Sequence, residues 1–376
     1  MKGCCWNWFA AREALAQHRG MTSRERVRTA LAHRTTDRVP RLLYEEAIGY
    51  PPAILDLLAA HGAGRPPREF FAMDLTRATV GPTRFPRERF GPWLGAEAQN
   101  ALASGQVDEW GVWRRAGDFH HFTRMESPLR AARNPDELAV YPWPDLDQAY
   151  RFEHTVREVQ ALQAQGWAVV GYAGSVFERA WYLRGFEPLL MDLLAAPTFA
   201  HALLERTAWF QRSQAERFAR AGVDIVLVGD DVAGQQGLLL RLPLWREFIK
   251  PHLAATIRAV KAVNPGVFVC YHSDGNVEAV VPELIETGVD VLNPVQPECV
   301  SPAALKRAYG ERLAFWGSVS VQRTLPLGTP ADVRAEVQTR IREMGPGGGF
   351  ILSPAHVLSP EVPWANICAF FDAAGP

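Results

Sequence analysis

Three side chains of this sequence, His272, Asp274 and His356, have the types and spacing of a reactive centre. His272 and Asp274 lie two residues apart behind an apolar run, and residues two apart in an extended segment point to the same side. Together with His356, which follows another apolar run, they would supply two imidazoles and one carboxylate. Such a set can hold Zn²⁺ or Fe²⁺ and leave positions open for a substrate. The alternative is a polar site without metal, in which His272 and Asp274 bond to loop amides.

Other ionisable and amide side chains follow further apolar runs of the chain. A desolvated charge costs free energy unless it is paired. The large number of polar groups at these positions therefore indicates a functional site. The candidates are Glu45, Asp74, Glu178, Asp231, Asn293 and Gln296. Asp231 is preceded by Asp230, and adjacent residues of a strand point to opposite faces. We therefore expect one of these two carboxylates to reach the pocket and the other to cap a helix, while Glu178 is equally suited to an ion pair with Arg179.

The elements that must position these residues alternate between short apolar runs and longer helical patterns. Continuous apolar runs are typical of parallel strands covered on both faces, and the repeated strand–loop–helix order indicates βαβ units. The runs lie at residues 38–46, 70–76, 167–174, 223–230, 267–275, 289–296, 313–320 and 349–356. Eight strands predict an α/β fold, a (β/α)8 TIM barrel, although a doubly wound open sheet would share the local pattern. In a barrel, the chemistry takes place at the carboxyl ends of the strands.

The alternation is interrupted between about residues 77 and 145. Residues 108–129 contain strand-like pieces and turn residues, which predicts a β-hairpin insertion near the barrel mouth. The sequence has no low-complexity linker, so we predict one domain over residues 21–376. Residues 1–20 are interpreted as a non-essential amino-terminal extension, because Thr22 or Ser23 is a suitable N-cap for the first helix.

Composition and charge argue against several classes of function. The 376-residue chain is 48% hydrophobic and 22% charged, with a formal net charge of −1, so nothing favours nucleic acid or an anionic membrane as partner. No apolar run approaches the roughly 20 residues that span a bilayer, and the first residues do not fit a signal peptide. The five cysteines are scattered without a CxxC pair, which fits a reducing compartment. These features predict a cytoplasmic protein that acts on a small molecule.

Five segments of the chain resemble, in order, the uroporphyrinogen decarboxylase-like superfamily. They are residues 21–40, 223–237, 271–298, 315–337 and 348–370, within a likeness that extends over residues 21–373. In the decarboxylase branch, Asp74 matches the catalytic aspartate and His356 the carboxyl-terminal histidine. That branch binds substrate carboxylates through arginines of an RQAGRY loop, where this chain has YEEAIGYPP. Glu45 and Glu46 would repel a substrate with eight carboxylates, which argues against haem-pathway decarboxylation.

The second branch of the superfamily comprises corrinoid-linked methyltransferases. These enzymes bind zinc through a His-x-Cys motif and a later cysteine. This chain keeps the first ligand as His272 and has Asp274 and His356 where the two cysteines would fall. The resemblance therefore implies a divalent metal, zinc in first place, held by nitrogen and oxygen donors. It also implies a corrinoid carried by a partner protein, and a homodimer.

Together, the residues and the resemblance predict a metal-dependent methyl or one-carbon transferase. The metal ligands would be His272, Asp274 and His356. The catalytic residues would be Asp74, Glu178, Asp231 and His356. The substrate-binding residues would be Glu45, Gln235, Asn293, Gln296 and Trp316. Two alternatives stay open: a metal-free decarboxylase acting on a small or tetrapyrrole carboxylic acid, with Asp74 and His356 handling the proton, and a ligand-binding barrel without catalysis.

Overall fold

The computed structural model describes residues 20–62, 64–102, 105–116 and 123–375. Apart from Gly20, the predicted amino-terminal extension lies outside the described residues. The strands are β1 (Leu75–Arg77), β2 (Trp113–Ala116), β3 (Thr123–Glu126), β4 (Ala168–Ser175), β5 (Ile225–Gly229), β6 (Ala233–Gly234), β7 (Gly237–Leu238), β8 (Phe268–His272), β9 (Val291–Asn293), β10 (Ala314–Val319) and β11 (Phe350–Pro354).

The helices surround these strands and follow them in sequence. They are α1 (Ser23–Leu31), α2 (Glu45–Ile48), α3 (Pro52–His61), α4 (Pro67–Phe70), α5 (Ala96–Leu102), α6 (Pro135–Val140), α7 (Thr155–Ala164), α8 (Phe177–Arg184), α9 (Phe186–Ala195), α10 (Pro197–Ala221), α11 (Leu242–Phe248), α12 (Lys250–Val263), α13 (Val281–Thr287), α14 (Pro302–Tyr309), α15 (Thr324–Leu327), α16 (Pro330–Met344) and α17 (Trp364–Ala373). Short 3₁₀ helices lie at Arg87–Trp93, Ala149–Phe152 and Glu278–Val280.

Seven strands form one parallel sheet in the order β1–β4–β5–β8–β9–β10–β11. Every residue of β5 and of β11 is buried, as expected when helices cover one face of a sheet and a barrel interior lies on the other. The long helix α10 packs against β4 and α12 on the outside. The predicted α/β architecture is confirmed as a parallel sheet consistent with a TIM-type barrel.

Residues 40–42 connect the two outer strands of this sheet. The Leu42 amide donates to the Leu352 carbonyl at 3.1 Å, and the Leu352 amide donates to the Pro40 carbonyl at 2.8 Å. On the other side, the Asp74 amide donates to the Arg41 carbonyl at 2.9 Å. These bonds put the segment where the first strand of a closed eight-stranded barrel would lie.

The structure corrects the bounds of the first two predicted strands. In 38–46, only Arg41 forms a β-bridge, and helix α2 begins at Glu45. In 70–76, the apolar residues Phe70 and Phe71 pack outward, with Phe71 stacked on Phe371 of α17 at 4.2 Å between centroids, and the strand begins only at Leu75. A short apolar run does not reveal by itself whether it is strand or helix, and this is the reason for the error.

Helix α1 closes the amino-terminal end of the sheet through its arginines. The helix begins with a capping box in which the Glu25 amide donates to Thr22 Oγ1 at 3.2 Å and the Thr22 amide donates to Glu25 Oε2 at 2.8 Å, as predicted for Thr22. Arg24 and Arg28 then bind the buried carboxylate of Asp224, just before β5, at 2.9 and 3.0 Å. This end of the protein is therefore held by ion pairs.

Strands β2 and β3 form an antiparallel pair, with Trp113 opposite Glu126. Residues 117–122, which would make the predicted hairpin turn, lie outside the described residues. The Arg114 guanidinium lies over the Tyr182 ring at 4.5 Å, so the pair packs against α8, at the carboxyl end of β4. Within the described part of the chain, no helix has both the length and the apolar character needed to cross a bilayer.

Candidate active site

Asp231, His272 and Asp274 meet at the carboxyl ends of two adjacent strands. His272 is the last residue of β8 and pairs with Gly229 of β5, and Asp231 follows β5 by two residues. One ligand atom from each of the three side chains lies within 4.8 Å of the other two. His272 Nε2 is 3.6 Å from Asp231 Oδ1 and 4.0 Å from Asp274 Oδ1. These separations exceed hydrogen-bond lengths, so the three groups are gathered but not bonded to each other.

The His272 ring is held by contacts at its other nitrogen. Nδ1 lies 2.7 Å from Asn293 Oδ1 and 3.0 Å from the Tyr44 hydroxyl. The Tyr44 ring also stacks on the imidazole, with 5.6 Å between centroids and 15° between planes. These contacts leave Nε2 directed at the two aspartates.

Burial and charge act in opposite directions on the ionisable groups of the site. Burial has the largest single effect on the pKa of His272 and lowers it. The Asp274, Asp231 and Glu178 carboxylates and the Asn293 hydrogen bond together raise it, and the net shift is upward. Burial raises the pKa of Glu178, and the nearby Asp231 carboxylate raises it further. The Tyr182 hydroxyl donates to the Glu178 carboxylate. The pKa values of the Glu178 carboxyl and the His272 imidazole are thus both shifted upward from their ordinary values.

The loops that carry the aspartates are fixed by hydrogen bonds. The Asp274 amide donates to Asp231 Oδ1 at 2.9 Å, and the Gly275 amide donates to Gln296 Oε1 at 2.7 Å. Asp230 points away from the cluster and accepts the amides of Val176 and Glu178, at 2.9 and 3.0 Å, at the start of α8. Asp230 thus caps a helix while Asp231 faces the cluster, as expected for adjacent residues that point to opposite sides.

His356 lies at the rim of the cluster rather than within it. Its Nε2 is 3.4 Å from Asp274 Oδ2, and its side chain is 41% exposed. The group that could hold a metal contains Asp231 in the place predicted for His356. The sequence predicted a catalytic role for Asp231 and a metal-binding role for His356, and which of the two is a ligand stays a prediction.

The structure corrects the position assigned to Asp74. Because β1 begins at Leu75, Asp74 lies at the amino-terminal end of the strand, opposite to the end that carries His272. Its buried carboxylate contacts Arg26 and Arg38, each at 2.5 Å, and accepts the Arg41 amide at 2.8 Å. These contacts bury the carboxylate at the end of the sheet away from His272, and the predicted catalytic role of Asp74 stays a prediction.

Four of the five predicted substrate-binding residues are buried, and their polar groups largely serve the protein itself. Asn293 contacts His272 and the Trp316 carbonyl, and Gln296 holds Gly275. Glu45 is fully buried and accepts the Leu358 amide at 2.6 Å. Trp316 is also fully buried, with its ring edge against Tyr44 at 5.9 Å. These are the placements of the four residues, and their direct role in binding substrate stays a prediction.

Gln235 is the remaining predicted substrate residue, and it lies in an exposed turn between β6 and β7. Its amide donates to Gln322 Oε1 at 3.2 Å. The turn follows β5 on the same side of the sheet as Asp231. A role for Gln235 in orienting a substrate stays a prediction.

Two tyrosines at this end of the sheet were not among the predicted site residues. Tyr44 is buried against His272, as described above. Tyr172 faces the interior, because a side chain at its neighbour Gly171 would run into Phe218 of α10 on the outside. Burial raises the pKa of Tyr172, and so does the nearby Glu178 carboxylate, yet the side chain is 39% exposed. The alternation along β4, with glycine facing the helices, is the sequence signal that could have identified Tyr172.

Sequence comparison assigns the chain to a family. The model of the family described as uroporphyrinogen decarboxylase (URO-D) matches residues 121–375, more than half of the chain. The protein therefore belongs to the URO-D family. The uroporphyrinogen decarboxylase of Anaeromyxobacter dehalogenans is 29% identical over 256 residues, which are 66% of this chain and 70% of that protein. The uroporphyrinogen decarboxylase of Tolumonas auensis is 23% identical over 362 residues, 93% of this chain and 95% of the other.

Structural comparison finds a protein of the same fold whose name gives a different reaction from that of the sequence relatives. A methyltransferase from Methanosarcina mazei superimposes with a TM-score of 0.63 and covers 94% of this chain and 98% of its own. The two sequences are 19% identical. At this identity the likeness establishes the fold. The comparisons confirm the resemblance to the decarboxylase-like superfamily and leave open which reaction type applies.

Proposed function

We propose that this protein is a metal-dependent methyl or one-carbon transferase. The observation that carries the proposal is the convergence of Asp231, His272 and Asp274 at one point of the mouth. A cluster of two carboxylates and one imidazole without an arginine partner suits a divalent cation. Within the described residues, the ion pairs of Asp231 and Asp274 involve only His272 and His356.

The donor atoms fit a divalent metal in two further respects. Asp274 Oδ1 is a buried oxygen without a hydrogen-bond partner among the described residues, and a buried carboxylate oxygen is costly unless something pairs with it. His272 presents Nε2 while its other nitrogen is bonded within the protein, the arrangement that metal-binding histidines use. Zinc or another divalent ion accepting nitrogen and oxygen ligands is therefore proposed.

A bound metal would act as a Lewis acid that polarises the methyl acceptor. The protein would supply the proton chemistry and the orientation. Glu178, with its raised pKa, would take up the proton that the acceptor loses. His356 and Gln235 lie at the rim and would orient the substrate. We infer that the methyl group arrives on a corrinoid carried by a partner protein, which the fold likeness to a methyltransferase supports.

Decarboxylation of a small acid is the second candidate, favoured by the names of the sequence relatives. His272, whose pKa is raised, could then pair as a cation with a substrate carboxylate. Glu178, Asp231 and Asp274 share this mouth and would oppose a substrate with many carboxylates. Glu45 and Glu46, from which the sequence predicted this repulsion, are buried instead.

Metal binding tests the proposal directly. We expect wild-type protein to bind about one zinc ion, and Asp231→Ala, His272→Ala and Asp274→Ala each to lose it, in competition with a chromophoric chelator. His201→Ala is the matched control, because His201 also faces a carboxylate at 3.6 Å, that of Glu247, on an exposed surface away from the mouth. Equal affinity of wild type and all three variants would contradict the proposed centre.

Product analysis separates the two reactions. With methylcobalamin as donor and a thiol as acceptor, the metal-loaded enzyme should demethylate the corrinoid, and His272→Ala should not. Release of CO2 from a small carboxylic acid by metal-free wild type, without any corrinoid demethylation, would instead establish the decarboxylase.

A further inference from the structure

We propose that Asn293 is a positioning residue that fixes His272 in the form protonated at Nδ1, so that the Nε2 lone pair faces Asp231 and Asp274. A divalent metal would bind through that lone pair, so the purpose of this arrangement rests on the proposed function. The tautomer itself is a property of the metal-free protein and can be tested alone.

The orientation of the Asn293 amide is the first step. Asn293 is fully buried, and its Nδ2 donates to the Trp316 carbonyl at 3.2 Å. A backbone carbonyl can only accept, so the amide nitrogen must face Trp316. The amide oxygen is thereby turned toward His272, where it lies 2.7 Å from Nδ1.

The protonation of Nδ1 follows from this orientation. The Asn293 oxygen has no hydrogen to donate, so the short contact is a hydrogen bond only if Nδ1 carries the proton. The Tyr44 hydroxyl, 3.0 Å from the same nitrogen, could donate to Nδ1 only in the other tautomer. In that tautomer, the lone pairs of His272 Nδ1 and Asn293 Oδ1 would face each other at 2.7 Å, and the buried amide oxygen would have no donor from the imidazole.

Strand register makes the arrangement a feature of the fold. His272 and Asn293 are paired residues of the parallel strands β8 and β9, so their side chains point to the same side of the sheet. Asn293 then reaches Trp316 of β10, the next strand. Three consecutive strands thus contribute one group each: imidazole, carboxamide and main-chain carbonyl.

The tautomer can be read by nitrogen NMR on the full chain labelled at histidine, free of metal and at alkaline pH, with the His272 signals identified by their loss in His272→Ala. We expect long-range proton–nitrogen correlations of the Nδ1–H form in wild type. Asn293→Asp should keep this form, because a carboxylate also accepts from Nδ1. Asn293→Leu should move His272 toward the Nε2–H form that free imidazole favours. An Nε2–H signal in wild type, or an unchanged tautomer in Asn293→Leu, would overturn the inference.

Zinc affinity provides a second readout. Asn293→Leu should bind zinc about 10–100-fold more weakly, and Asn293→Asp should retain most of the affinity. Asn366→Ala is the matched control: this buried asparagine also donates to main-chain carbonyls, those of Leu325 and Gly328, but contacts no residue of the site. It should lose stability and leave both the tautomer and the affinity unchanged.

The two failures are distinguishable. If wild type shows the Nδ1–H form but binds no zinc, the proposed metal function fails and the assignment of the tautomer stands. If zinc binds and wild type shows the Nε2–H form, the role of Asn293 fails alone. Should Asn293→Leu not fold, wild type and Asn293→Asp still decide the outcome.

Discussion

The acidic residues of this protein fall into two groups according to their partners. Asp74 and Asp224, near the amino ends of the strands, are buried and paired with arginines. Asp231 and Asp274, at the carboxyl ends, form ion pairs only with histidines within the described part of the chain. The first group therefore holds arginines within the fold, and the second is the group that we propose to bind a metal.

Substitution of Asp74 tests this division. Asp74→Asn would leave Arg26 and Arg38 without the buried anion between them, and we expect a loss of about 3–5 kcal/mol in the free energy of unfolding. Zinc affinity should not change, because the residue is at the opposite end of the sheet. Asp37→Asn, which removes the more exposed partner of Arg26, should cost only about 1 kcal/mol. Urea unfolding measures both. Lost turnover with unchanged stability in Asp74→Asn would argue for the catalytic role instead.

Glu45 should make the stability of the protein depend on pH. Burial raises its pKa from 4.5 to about 7, the Leu358 amide lowers it, and Glu46 raises it. Between pH 4.5 and about 7, Glu45 is protonated in the folded state and ionised in the unfolded state. The folded state therefore binds more protons, and stability falls as pH rises. The full stabilisation is present below pH 4.5 and is lost as pH rises through about 7.

The variant Glu45→Gln keeps an acceptor for the Leu358 amide and removes the charge. Relative to wild type, it should gain about 3 kcal/mol in unfolding free energy between pH 4.5 and values above 7. Urea unfolding of both proteins across this range gives the difference, in which the titration of all other groups cancels. A constant difference across the range would show that Glu45 titrates normally.

At the scale of elements, the site depends on how closely β10 approaches the segment after β9. Gly317 has a φ of 128°, and a side-chain carbon there would lie 1.9 Å from the Pro294 carbonyl oxygen. Gly317 directly follows Trp316, whose carbonyl binds Asn293. Glycine at this position therefore allows the two strands to come close enough for the Asn293 bond.

Gly317→Ala should disturb the site as well as the fold. The overlap with Pro294 must separate the strands, so we expect weaker zinc binding and a loss of stability larger than backbone conformation alone explains. Gly222→Ala is the control, since Gly222 also has a positive φ, 85°, but has open space where a side chain would be added. It should cost about 1–2 kcal/mol and leave zinc binding intact. Equal stability losses with unchanged affinity in both variants would contradict the role of this close approach.

At the scale of the whole molecule, the sequence predicted the strands better than the side-chain roles. The continuous apolar runs before Asp231 and His272 identified β5 and β8, and with them the end of the sheet that carries the site. Asp74 was misplaced because the preceding aromatic residues pack outward. Asn293 was predicted to contact the substrate because it follows an apolar run. The sequence alone does not show whether such an amide faces solvent or a buried histidine. The contact between Asn293 and His272 became visible only from the register between β8 and β9.

Metal binding should also stabilise the molecule as a whole, because the proposed ligands follow two strands that are far apart in sequence. A ligand that binds only the folded state raises the unfolding free energy by about 2.7 kcal/mol at 100 times its dissociation constant. We expect this gain for wild type in urea unfolding at fixed free zinc, and none for His272→Ala, whose cluster lacks the imidazole. A gain of the same size in His272→Ala would locate the zinc elsewhere. Absence of the gain in that variant would show that zinc stabilises the protein by binding at the cluster of Asp231, His272 and Asp274.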